Sequence, residues 1–175
     1  HDGEAFGEAY ELPNDHCYCE TCAQIASIQW NWRLLLATGE ARYADLMERT
    51  LYNGFLSGVS LDGSRYFYVN PLLSRGGIER PEWHECACCP PNVMRQIAMV
   101  GHYAATSDGS GIQIHQYLSA KTEAELGTGR QVVLATETDY PWDGTVKVTV
   151  ELSPENGLAP PWLMSAPTRY CGLPS

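Results

Sequence analysis

Six of the seven cysteines fall in two tight groups: Cys17, Cys19 and Cys22, then Cys86, Cys88 and Cys89. Thiolates repel one another unless a cation sits among them, so two such groups on distant segments suit a metal site. Zinc takes four ligands from Cys, His and carboxylates, and Glu20 stands two residues before Cys22. A zinc held by Glu20, Cys22, Cys88 and Cys89 would be fully coordinated, with no room for water. Its work would be to ionise and orient sulfur. The spacings C-x-C-x2-C and C-x-C-C are not those of a zinc ribbon or finger, and a plain structural site has the same four-ligand look. His84 is an alternative ligand for a generic zinc site. Two non-metal explanations compete. The odd cysteine count and long apolar helices argue against a disulfide framework. Buried small hydrophobes have no reason to cluster twice.

These side chains need helices and a turn to bring them together. Residues 18–38 carry Cys22, Ile25, Ala26, Trp32, Leu35 and Leu36 at three- and four-residue steps, with Asn14-Asp15 as an N-cap signal and Gly39 as a stop. Residues 40–56 repeat the pattern with Tyr43, Leu46, Met47, Thr50, Leu51 and Phe55, making an αα-hairpin. The Trp30-Asn31-Trp32 run reads as core. Residues 57–70 predict a β-hairpin around Asp62-Gly63, with Tyr66 and Tyr68 on one side. A third helix is expected over 91–106, with Cys88 and Cys89 in the loop before it and prolines at its start. There its positive dipole end would favour thiolates. After the SDGSG run ending at Gly111 the texture turns to strands: Ile112, Ile114, Tyr117 and Leu118, then QVVLATETDYP, then VKVTVEL with alternating valines. Helices followed by strands suggest two segregated units. The stretch after about Ser153, with five prolines and no period, reads as a linker, a fraying end or an out-of-frame tail.

Composition narrows the function classes. The 175 residues are 44% hydrophobic and only 18% charged, which excludes disorder and suggests that much of the surface is covered. A net charge of −10 repels phosphate backbones and anionic lipid, so neither nucleic acid nor a membrane is an expected partner. The chain opens on HDGEAF, without an initiator Met or a signal peptide, and reads as part of something longer.

The run GEAFGEAYELPNDHCYCETCA, then FYVNPL, then HECACCPPN resembles the core of glycoside hydrolase family 127, the β-L-arabinofuranosidase family. The resemblance covers roughly residues 1–150. It implies the C-terminal part of an α/α barrel (1–107, with the hairpin and the zinc–cysteine site). The first strands of a β-sandwich and an irregular tail would follow (108–175). It also implies a retaining glycosidase with a zinc-bound cysteine nucleophile. On this sequence the zinc ligands become Glu20, Cys22, Cys88 and Cys89, the nucleophile Cys88, and the general acid/base Glu4. Glu48 and Tyr68 match sugar-contacting positions. The family's substrate-binding histidines would lie upstream of His1, and Cys17, Cys19 and Cys86 fall outside the ligand pattern.

Attack by Cys88 would give a thioglycosyl enzyme. Glu4 would protonate the departing oxygen and then deprotonate the incoming water. The expected substrate is an oligosaccharide or glycoconjugate, and the expected location cytoplasmic. A non-catalytic zinc module joining helical and β domains is the competing reading, and a disulfide-linked carbohydrate-binding piece a third. Without the resemblance, Glu4 is a solvated acid, Glu48 a partner for Arg42 or Arg49, and Tyr68 ordinary hairpin packing.

Overall fold

The computed structural model describes residues 3–5, 7–11, 13–14, 17–127 and 129–152. Asp15 of the expected N-cap and the proline-rich tail from residue 153 lie outside them. Helices and small antiparallel sheets make up two compact units, His1–Val100 and Gly101–Ser175. Among the described residues, no helix is long and apolar enough to cross a membrane.

The first unit is built on α1 (Thr21–Thr38) and α2 (Ala41–Thr50), joined at Gly39. Gly39 takes φ 69°, a left-handed conformation cheap only for glycine, and returns its N–H to Leu35 O at 2.7 Å. The αα-hairpin is therefore as the spacing indicates. Helix α1 begins three residues later than expected, after Glu20, and has no side-chain N-cap hydrogen bond. Its buried face is Thr21, Ile25, Ile28, Asn31 and Leu35. Trp30 is 63% exposed and Leu36 57%, so neither is core within this chain. Trp30 lies off the stripe that Ile25, Ile28 and Leu35 define, and Leu36 lies at its edge in the last turn.

Helix α2 continues as a π-helical turn (Leu51–Phe55) and a 3-10 turn (Leu56–Gly58), burying Met47, Leu51 and Phe55. Residues 57–70 do not form the expected regular hairpin. The Asp62-Gly63 turn is real, closed by Asp62 on Ser60 and Ser64, but only Val59 and Tyr66 pair across it. The segment instead bridges Val69 to Glu20, at the head of α1. A third helix, α3, spans Cys89–Met99, not 91–106; a 3-10 turn (Val100–Tyr103) and a strand follow it. Cys89 is thus its first residue and Cys88 its N-cap.

The second unit contains a two-stranded antiparallel sheet, β1 (Ala105–Ser107) with β2 (Ile112–Ile114), about the SDGSG turn. It also contains a three-stranded sheet in the order β3 (Ala120–Glu125), β4 (Gln131–Thr138), β5 (Val146–Leu152). Register runs Ala120↔Thr136 to Glu125↔Gln131 and Val132↔Leu152 to Thr138↔Val146. Val132, Leu134 and Val146 are its buried apolar side chains.

Candidate functional site

Two helix starts and one extended segment converge. Backbone pairing of the FYVN segment against α1 sets the frame. Thr21 N–H donates to Tyr68 O (2.9 Å), and Asn70 N–H donates to Cys19 O (2.8 Å). The Asn70 side-chain amide adds bonds to Cys19 O (2.9 Å) and Thr21 Oγ1 (3.1 Å). Gly58 leaves room for this amide, since a Cβ there would sit 2.5 Å from Asn70 Oδ1. Tyr68 is thereby fixed beside Glu20, and α3 packs on α1 with its leading cysteines toward Cys22.

The result is one compact donor group. Glu20, Cys22, Cys88 and Cys89 each offer one ligand atom, all within 4.8 Å of one another, and the group could hold a metal ion. Cys22 Sγ lies 3.5 Å from Cys89 Sγ, Cys88 Sγ 3.8 Å from Cys89 Sγ, and Cys88 Sγ 3.5 Å from Glu20 Oε1. A tetrahedral ion with bonds of ~2.3 Å to sulfur and ~2.0 Å to oxygen needs S···S edges of ~3.8 Å and S···O edges of ~3.5 Å. The donor set fits such an ion in type and size. Glu20 and Cys89 are buried, and Cys22 and Cys88 half-buried.

Without a cation the Cys22 and Cys89 thiols resist ionising. Burial pushes Cys22 up to about 11, against the pull of the Asn92 amide, which donates to its sulfur at 3.0 Å. Cys89 is also raised, first by burial and then by the neighbouring Cys22 and Cys88 sulfurs. A bound cation reverses this balance, because it stabilises the charged form of each ligand.

Tyr66, Tyr68 and Cys89 form a buried cluster against which Tyr18, Cys22 and Cys88 pack. Tyr68 is held protonated, mainly by its hydrogen bonds with Tyr18 and then Cys88. The Tyr68 hydroxyl also donates to Glu4 Oε1 at 3.5 Å, so an exposed carboxylate near the start of the chain comes to the mouth of the cysteine group. Of the residues singled out from sequence, Glu4, Glu20, Cys22, Tyr68, Cys88 and Cys89 meet here.

Glu48 lies half-buried on α2, where its charge contributes to a raised Tyr52 pKa, and is not one of the four donors. His84 is not a ligand in this group; its ring packs 5.0 Å from that of Tyr68. Cys17, Cys19 and Cys86 also stand outside it. Burial raises Cys19 to about 11, with its hydrogen bond to Cys17 as the next cause. Sequence reasoning missed Tyr18 and Asn92. Tyr18 sits between two cysteines and Asn92 just after CCPP, and neither residue type is a usual ligand.

Comparison with known proteins follows this geometry. Residues 1–102 match the model of the β-L-arabinofuranosidase GH127 catalytic domain. The chain is 38% identical to a non-reducing end β-L-arabinofuranosidase of Bifidobacterium longum subsp. longum, over 87% of this chain and 24% of that protein. It is similar to the crystal structure of a GH127 β-L-arabinofuranosidase from Geobacillus stearothermophilus T6, with a TM-score of 0.76 and 44% identity. That match covers 82% of this chain and 24% of the other. A second solved structure, a GH127 β-arabinofuranosidase, gives a TM-score of 0.77 and 46% identity over 85% of this chain and 23% of that one. The chain thus spans about a quarter of the length of these relatives. The family model alone covers more than half of the 175 residues, and the chain belongs to glycoside hydrolase family 127.

Proposed function

We propose that this chain carries the metal–cysteine part of a retaining glycoside hydrolase that releases terminal β-L-arabinofuranosyl or related furanosyl residues from oligosaccharides or glycoconjugates. In this reading residues 1–107 close an α/α barrel, and residues from 108 open a β-sandwich. The ion is zinc, held by Glu20, Cys22, Cys88 and Cys89. When bound, it supplies the positive charge that keeps the sulfurs ionised near neutral pH.

Cys88 is the nucleophile. Its sulfur lies 3.5 Å from Glu20 Oε1, and it is less buried than Cys89. Its thiolate attacks the anomeric carbon, the glycosidic C–O bond breaks, and Glu4 delivers a proton to the leaving oxygen. Glu4 then takes a proton from water, which displaces the sulfur with a second inversion. Tyr68 orients Glu4 through the observed hydrogen bond and contacts the sugar, and Glu48 contributes a further polar contact. The observation that carries this reading is the Glu4–Tyr68–Cys88 neighbourhood: an acid and a thiol from opposite ends of the first unit, joined through one phenol.

The closed, largely buried donor set also suits a non-catalytic structural site. The two readings part on trapping. A thiol-reactive furanoside incubated with the full-length protein that contains this chain should add one sugar mass, mapped by peptide sequencing to Cys88. Label on no cysteine, or equally in a Cys88→Ser variant, would leave the structural site as the answer.

A further inference from the structure

Three sulfurs in one cluster pose a selectivity question, since each is a potential nucleophile once ionised. Cys89 is fully buried, which withdraws it. Cys22 and Cys88 are both half-buried, so exposure does not separate them. Their partners differ: Cys88 faces Tyr68 and Glu20 Oε1, whereas Cys22 takes the side-chain amide of Asn92, which donates to its Sγ at 3.0 Å.

The sequence explains why a side chain does this. A helix start ordinarily offers several free backbone N–H groups to a nearby anion. Helix α3 has Pro90 and Pro91 in its first turn, and proline has no N–H to give. Asn92 is the next residue, and its own backbone N–H is turned back to Cys88 O at 3.4 Å. Its carboxamide is thus left to supply the missing donor, and it aims at one sulfur.

We propose that Asn92 is a positioning residue that makes Cys22 the spectator thiolate, its amide N–H drawing charge from that sulfur and fixing it as a ligand so that Cys88 remains the reactive one. This rests on the metal-site reading above. A hydrogen bond to a charged acceptor is among the stronger ones, enough to slow a competing sulfur by about ten-fold.

The test uses the 175-residue chain loaded with cobalt(II), whose sulfur-to-metal charge-transfer absorption reports thiolate ligation, with alkylation by iodoacetamide mapped by mass spectrometry. Among the three clustered cysteines of the parent chain, the label should fall mainly on Cys88, the free Cys17, Cys19 and Cys86 being read separately. In Asn92→Ala, and in the equally shaped Asn92→Asp, the Cys22-to-Cys88 labelling ratio should rise by about ten-fold, and the charge-transfer band should shift while four-coordinate ligation persists. Weaker cobalt affinity, with parent-like helical circular dichroism once excess cobalt restores full occupancy, would equally support the holding role. An unchanged labelling ratio and band in both loaded variants would overturn it. Absence of any charge-transfer band in the parent chain would instead overturn the metal reading, and the Asn92 proposal with it.

Discussion

Cys22, one of the four donors, and Glu4, which meets the group through Tyr68, should fail in different ways when replaced. Cys22→Ser exchanges a thiol for a hydroxyl that does not ionise in the working range and binds zinc far less well. Zinc content by elemental analysis should fall from about one per chain to a small fraction. Full occupancy in that variant would mean a different ligand set, with His84 or Cys86 drawn in. Glu4→Gln keeps the shape and the Tyr68 partner but gives up the proton. In the full-length protein, glycosides with poor leaving groups should slow by about 10²–10⁴-fold and activated aryl glycosides far less. Azide should restore the second step and return a glycosyl azide of retained configuration, whereas Cys88→Ser should show no such rescue. Equal slowing of both substrate types would remove Glu4 from the acid role. At this scale residue type was informative, because cysteine and glutamate announce metal and proton chemistry. Asn92 and Tyr18 were silent, since their roles exist only through the sulfur and phenol they happen to face.

Elements, more than single residues, decide whether these groups meet. The FYVN segment pairs with the head of α1 about fifty positions earlier, and Asn70 bonds both Cys19 O and Thr21 Oγ1. Asn70→Ala should lower stability by about 1–3 kcal/mol in urea denaturation and loosen Tyr68 from its place beside Glu20. A wild-type midpoint would show that backbone pairing alone suffices. The Asp62 turn has its own signature. Hydrogen bonds from Ser60 and then Ser64 hold the Asp62 carboxyl down at about 2, below its ordinary 3.8. The turn's contribution is therefore complete above about pH 4 and lost as pH falls toward 2. A carboxyl titration followed by NMR should place the midpoint near 2, and Asp62→Asn should abolish that pH dependence; a midpoint near 4 would contradict it. The αα-hairpin was legible because Gly39 and the three- and four-residue spacing are local signals. The pairing of residue 69 with residue 20 was not, because no local pattern encodes a partner so far away. Strand β3, AKTEAE, alternates small residues with charged ones but carries no large apolar side chain, and it pairs along its whole length with β4.

Across the whole molecule, the change of texture near Gly111 marks where helices give way to strands, and the two compact units part at Val100–Gly101. Ile97 and Met94 on α3 stay more than half exposed among the described residues. Because the chain spans 24% of the curated relative, the isolated 175 residues should bind zinc yet give no measurable hydrolysis of an aryl β-L-arabinofuranoside. Robust turnover would refute that. Cys22 and Cys89 are also 67 positions apart, and an ion on both would tie the ends of that stretch as a covalent bridge does. By the chain-entropy relation used for disulfides, closing a ring of this length is worth about 4 kcal/mol. The ion would then be the rivet of the helical unit as well as the activator of its sulfur. Stripping it with a chelator should speed amide exchange throughout α1, α2 and α3 and leave β3 to β5 unchanged. Inactivation and unlacing would then be one event, with no inert, intact apo form for a cell to store.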